Sequence, residues 1–191
     1  MDDRISELLD EAACRAVPVV TGIPDDLLAV PTPCAEYRVG DLLNHLFHVV
    51  VGFQELAAKR DADFSSTPGY LHGDWRARFP RETEALVRSW SLPGAEEGVA
   101  GSMGLPARTL GAMVLLDLTV HPWDLARATG QDYVPGESAL GELEALAEQM
   151  APTARSMGAF GEPVPVRADA GRFARLLGAI GRDPRWEPPA R

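Results

Sequence analysis

Between Pro106 and Gly130 the chain carries one stretch that restricts its fold more than any other. From Gly111 to Val120 it is apolar on nearly every side of a helical projection, so a helix there has no solvent face and needs neighbours all round. The spacing predicts a helix from about Ala107 through Met113–Arg127 to Thr129, stopped by Gly130. A helix of that kind is the centre of a bundle.

The rest of the chain supplies partners for it. Residues 3–20 place Ile5, Leu8, Leu9, Ala12, Ala16 and Val19 at helical spacing, with Asp2 and Asp3 favourable at the N-terminal end. Pro24, Pro31 and Pro33 break the pattern and mark a loop ending near Tyr37. A second helix is expected from Val39 to about Arg60, followed by a polar turn over Asp61–Gly69. A third is expected over 70–91, with Leu71, Trp75, Phe79, Leu86 and Trp90 as its apolar stripe and Pro80 as a kink or break. Pro93–Pro106 reads as a Gly-rich loop with a short extended piece near Val99. Ser138 is placed to cap a fifth helix whose inward face is Leu140, Leu143, Leu146, Ala147 and Met150. The tail after Phe160 holds one more short helix, Gly171–Ile180, and then Gly181-Arg182-Asp183-Pro184. With little β pattern, this is an all-α, up-and-down four-helix bundle with a short C-terminal extension. It reads as a single domain over 1–191, the bundle at about 3–156 and the cover at 157–191.

Charge narrows the function classes. Eighteen Lys+Arg against 28 Asp+Glu give a formal charge of −10, which repels phosphate backbones and anionic lipid. No nucleic-acid or membrane partner is expected, and no apolar run reaches the roughly 20 residues of a membrane span. The acidic N-terminus does not resemble a secretory signal, and two cysteines without a CxxC pair suit a reducing cytoplasm. The tryptophans, Trp75, Trp90, Trp123 and Trp186, fit packing better than base stacking, because no basic patch accompanies them. Hydrolase and nucleotide-binding motifs of the G-x-S-x-G, P-loop and H-E-x-x-H types are absent from the sequence.

Chemistry concentrates on the central helix. Asp117 and His121 are one turn apart on one face, and Asp124 continues that stripe. A carboxylate and an imidazole so placed can chelate one metal; on spacing alone the stronger reading is a hydrogen-bonded core pair, or a pairing with an arginine from elsewhere. On the second helix, His45 lies roughly 75° from the centre of the apolar face and His48 roughly 135°. His45 therefore sits at the core boundary, while His48 is expected to face solvent. His72 reads as surface or loop, at most at a pocket mouth. Cys14, beside Ala12 and Ala13, reads as packing. Cys34 reads as a small buried residue, or as a reactive thiol if the following helix end lowers its pKa.

At this point the chain resembles a known family, the DinB/YfiT-like bundles, and within them the metal-binding domain of mycothiol-dependent maleylpyruvate isomerase. The resemblance is carried by Thr32-Pro33-Cys34-Ala35-Glu36-Tyr37-Arg38-Val39-Gly40-Asp41-Leu42-Leu43-Asn44-His45, by His121-Pro122-Trp123-Asp124-Leu125-Ala126-Arg127-Ala128-Thr129-Gly130, and by the closing Gly181-Arg182-Asp183-Pro184-Arg185-Trp186. It implies a DinB-like fold and a divalent metal held by His45, Asp117 and His121. Zinc is the first choice, with nickel, manganese or iron also compatible with two imidazoles and a carboxylate. It further implies a low-molecular-weight thiol as co-substrate in a transferase or isomerase reaction on a small electrophile. In that scheme Asp124 supports a ligand from behind and Arg127 contacts the thiol cofactor. The partners are then small molecules, and a homodimer is compatible, although no interface is legible. The isomerase pattern has Glu where this chain has Asp117. That isomerase also has a further C-terminal domain, so maleylpyruvate isomerisation itself is not expected. The alternative is a non-catalytic, metal-stabilised bundle that binds a small ligand or a protein partner.

Overall fold

A computed structural model describes residues 3–102 and 104–189, so Asp2 lies outside the described residues. Six helices dominate: α1 (Ile5–Thr21), α2 (Val39–Ala57), α3 (Trp75–Ser91), α4 (Ala107–Thr129), α5 (Glu137–Ser156) and α6 (Arg172–Ala179). A two-residue antiparallel pair, β1 (Val99–Ala100) and β2 (Leu105–Pro106), lies just before α4, where the sequence places a short extended piece.

The chain is an all-α bundle. α4 runs between Ala107 and Thr129 and ends on Gly130 in the left-handed region, as its pattern predicts. Its side chains are buried around the whole circumference, from Leu110 and Leu115 to Val120 and Leu125. α1 packs on α3 and α4, and α2 packs on the same two helices. The pairs α1/α2 and α3/α4 therefore sit on diagonals, and the connections after α1 and α3 cross the end of the bundle. α5 lies along α4, and α6 lies on α5. The core is continuous, with Phe47, Phe79, Leu86 and Trp90 fully or almost fully buried. Each such side chain contributes about 1.5–3 kcal/mol from burial.

Several boundaries differ from expectation, each for a local reason. α3 begins at Trp75 rather than near 70, because Asp74 accepts a hydrogen bond from the Ala77 amide at 3.2 Å and caps it there. The helix runs undivided through Pro80. α2 stops at Ala57 rather than Arg60, since Lys59 turns into the left-handed region (φ 61°) and its ammonium donates to the Ala95 and Glu97 carbonyls. Gly136, not Ser138, is the N-cap of α5; the Ser138 hydroxyl is engaged by the Glu11 carboxylate on α1. Cys14 is exposed rather than packed, because Ala12, Ala13 and Ala16 take the buried side of α1.

Two loops are fixed where the function-bearing side chains gather. The Thr32-Pro33-Cys34 loop folds back on the start of α2: the Val39 and Gly40 amides donate to the Val30 and Leu28 carbonyls. The buried Thr32 hydroxyl lies 2.8 Å from the Tyr37 carbonyl and 2.9 Å from that of Cys34. The C-terminal cover is held by Gly161 N–H to Ile180 O (3.2 Å), Val164 N–H to Gly178 O (2.9 Å) and Arg182 N–H to Leu177 O (2.8 Å). Gly181 has φ 90°, and a Cβ there would meet Gly161 backbone atoms at 2.5–2.8 Å. Only glycine permits that crossing.

Gly181→Ala is expected to lower unfolding free energy by roughly 2 kcal/mol or more, combining left-handed strain with backbone collision. Gly141→Ala is expected to raise it by about 0.5–1 kcal/mol, since among the described residues its Cβ would find only the Arg172 guanidinium, at 3.8 Å, on the outside of α5. Urea unfolding of both variants checks the pair.

Candidate metal centre

α4 delivers Asp117, His121 and Asp124 to one face, and α2 delivers His45 opposite them. His121 is the pivot. Its Nε2 lies 3.2 Å from Asp117 Oδ1 and its Nδ1 lies 3.1 Å from Asp124 Oδ2. The His45 ring approaches edge-on, centroids 5.1 Å apart at 87°, and is itself stacked on Tyr37 at 5.3 Å and 23°. One ligand-capable atom from each of His45, Asp117 and His121 lies within 4.8 Å of the others. Donors around a tetrahedral cation with 2.0–2.1 Å bonds stand roughly 3.3 Å apart, so small side-chain rotations bring this set to coordination distance. Nitrogen and oxygen donors of this kind fit a borderline divalent cation.

The electrostatics of the two imidazoles differ. Burial pushes the His45 pKa down to about 4, against a smaller opposing pull from Asp117, so this ring is neutral at pH 7. Burial also opposes charge on His121, but the hydrogen bonds and charges of Asp117 and Asp124 outweigh it and raise its pKa. Metal-free His121 is thus held between two acceptors.

The cluster faces a cavity of about 550 Å³. Its polar end is His45, Asp117, His121, Cys34, Tyr37 and Arg182; its apolar wall comes from α4 and α5, with Met113, Leu116, Leu146 and Met150. Cys34, His121 and Asp124 form a second group of ligand-capable atoms within 4.8 Å. That position already holds a positive charge: Arg182 Nη2 lies 3.0 Å from Cys34 Sγ and 3.6 Å from Asp124 Oδ2. A cation there would have to displace a guanidinium, whereas the His45 side is open to the cavity.

The remaining expected residues are placed as follows. Asp124 is fully buried behind His121 and does not line the cavity. Arg127 is outside the cavity wall and donates through Nε and Nη2 to the Trp186 carbonyl at 3.1 and 2.5 Å, tying the cover to α4. His48 does not face solvent. The segment before α3 folds over α2, and its Phe64 and Tyr70 rings cover His48, whose Nδ1 lies 3.3 Å from the Tyr70 hydroxyl. His72 is exposed in a loop and does not line the cavity. Cys34 is half-buried, and burial, despite the nearby Arg182, pushes its thiol up to about 11, so α2's positive end does not activate it. Arg182 and Tyr37 line the same cavity, which periodicity does not reveal, because both sit in loops.

Fold and cluster together define a helical-bundle protein with a two-histidine, one-carboxylate group on a cavity wall. The chain belongs to the family described as the mycothiol maleylpyruvate isomerase N-terminal domain, which it matches over residues 9–126. Two curated relatives, uncharacterised proteins from two strains of Mycobacterium tuberculosis, are each 30% identical over 175 residues, spanning 86% of this chain and 91% of the relative. No solved structure matches the chain. Among the described residues, no helix is long and apolar enough to cross a membrane.

The two histidines make opposite contributions to metal-free stability. Between about pH 4 and the unfolded value of 6.5, the unfolded chain binds a proton at His45 that the folded chain does not, so stability rises with pH across that window. Above 6.5 the raised pKa of His121 makes stability fall as pH rises. Urea unfolding in chelator at pH 4.5 and 6.5 is expected to show a smaller gain for His45→Gln than for the parent, by on the order of 2 kcal/mol.

Proposed function

We propose that the protein binds one divalent cation, zinc first and nickel, manganese or iron as alternatives, through His45, Asp117 and His121. We propose further that it uses the site to add a low-molecular-weight thiol of the mycothiol type to a small electrophile, as a transferase or isomerase. The observation that supports this most is the convergence of three ligand-capable atoms from α2 and α4 within 4.8 Å on the wall of a cavity. Membership of a family whose description names mycothiol supports the choice of thiol.

The chain's own residues divide the work. His45 is neutral at working pH and offers a lone pair without first losing a proton. Tyr37 holds that ring by stacking. Asp117 supplies the negative charge that two neutral imidazoles lack. Asp124 accepts from His121 Nδ1, which leaves Nε2 as the ligating nitrogen. Three protein donors leave positions open toward the cavity, as catalytic sites require. The chemistry a cation supplies there is Lewis acidity and a lowered pKa for a thiol that reaches it. Met113, Leu116, Leu146 and Met150 exclude water from one side, where the apolar part of the electrophile packs. As a transferase the reaction adds S–H across a polarised double bond, sulfur to the electrophilic carbon and the proton to its neighbour; as an isomerase the same S–H is eliminated again after rotation about the new single bond, which returns the thiol.

Elemental analysis of the purified protein is expected to give one equivalent of metal, with affinity reduced by more than roughly a hundredfold in His45→Ala and His121→Ala. With metal restored, the parent is expected to accelerate thiol addition to electrophiles and the variants not. Metal-free parent protein that catalyses equally well would contradict the proposal. Metal that raises stability without any turnover would leave the non-catalytic bundle as the answer.

A further inference from the structure

One charged side chain in the cavity wall has no part in the mechanism above. Arg182 follows α6 in the C-terminal cover, and its side chain is only 9% exposed. Its Nη2 lies 3.0 Å from Cys34 Sγ and 3.6 Å from Asp124 Oδ2, its Nη1 lies 3.4 Å from the Ile180 carbonyl, and its buried Nε has no hydrogen-bond partner among the described residues. Asp124 is completely buried; its Oδ2 faces both His121 Nδ1 and Arg182, while Oδ1 has no hydrogen-bond partner among the described residues. A buried carboxylate needs opposite charge or donors nearby, since an unpaired one is strongly destabilising. Here the hydrogen bond comes from His121 on α4 itself and the opposite charge from a segment more than fifty residues later.

We propose that Arg182 is a positioning residue: it pins the Asp124 carboxylate so that Oδ2 accepts from His121 Nδ1, which aims Nε2 at Asp117 and His45. Cation affinity then depends on the C-terminal cover, through the relay Cys34–Arg182–Asp124–His121. Cys34 is the second anchor of the guanidinium, so the Thr-Pro-Cys loop and the cover meet on one side chain. The effect on metal affinity rests on the metal-centre reading above; the effect on the His121 hydrogen bond does not.

The sign of the effect separates this role from simple electrostatics. A guanidinium near a cation site repels the cation, so an arginine acting through charge alone would, on removal, leave a tighter site. A positioning arginine leaves a weaker one. Zinc affinity, measured by competition with a chromophoric chelator, is expected to fall about tenfold in Arg182→Met and in Asp124→Asn, as for other residues that orient ligands. The double variant is expected to be no weaker than Asp124→Asn alone, because Arg182 acts through Asp124. Arg182→Lys, which keeps the charge and loses the fork, is expected to weaken binding as well and serves if Arg182→Met does not fold. Ile180→Val, which trims a buried side chain of the cover and leaves the backbone carbonyl that Arg182 meets in place, is expected to lower stability but bind zinc as the parent does.

In metal-free protein, the Nδ1 proton of His121, observed through its ring nitrogen by NMR, is expected to exchange slowly in the parent and rapidly in Arg182→Met. Zinc binding as tight as the parent's in Arg182→Met, or losses that multiply in the double variant, would overturn the proposal. If the parent takes up no zinc, the metal-centre reading falls and the proton measurement decides alone: unchanged exchange overturns the relay, and faster exchange sustains it.

Discussion

The structure turns on one buried imidazole with a carboxylate at each nitrogen. His121 is held by Asp117 at 3.2 Å and Asp124 at 3.1 Å, with only 7% of its side chain exposed. Two acids share this one imidazole, Asp124 fully buried and Asp117 at the cavity wall, and leave an excess of negative charge, which the fold has to offset. On the Asp124 side the offset is Arg182, brought in by the C-terminal cover. On the Asp117 side there is a neutral imidazole, His45, and a cavity. A divalent cation on that side would complete the charge balance, which is why the polar interruption of an apolar helix reads as a site rather than as a flaw.

That arrangement explains the bundle's layout. α4 has to be central so that its polar stripe is surrounded, and it is the most thoroughly buried helix. α2 has to lie beside it with His45 near its start, and the loop ahead of α2 has to fold back to set Tyr37 on the His45 ring. The family match ends at residue 126, so it covers Cys34, His45, Asp117, His121 and Asp124. The apolar wall from α5, and Arg182, lie beyond it. The shared portion of the chain thus carries the cluster, and the following portion closes the cavity over it.

Much of this was legible in the sequence, for reasons that can be named. α4 could be bounded because Pro106 and Gly130 punctuate an apolar run, and backbone chemistry acts locally there. His45 could be preferred over His48 because helical phase is a local property. The burial of His48 could not be read, since phase describes a helix's own face and not the segment that Phe64 and Tyr70 lay across it. Arg182 was invisible as a site residue for a similar reason: it sits in a loop, and its role depends on a glycine crossing at Gly161 and Gly181. Ser138 had the right chemistry for a cap, but Glu11 on α1 competes for its hydroxyl. In each miss, a contact between distant segments overrode a local signal.

Two groups of donors share His121, and they differ in one element. His45, Asp117 and His121 present only nitrogen and oxygen; Cys34, His121 and Asp124 include sulfur. X-ray absorption at the zinc edge of the loaded protein, without added thiol, separates them directly. The account predicts a first shell of nitrogen and oxygen at about 2.0–2.1 Å with imidazole scattering from two rings and no sulfur. A sulfur neighbour at about 2.3 Å would place the metal on the Cys34 side and contradict it.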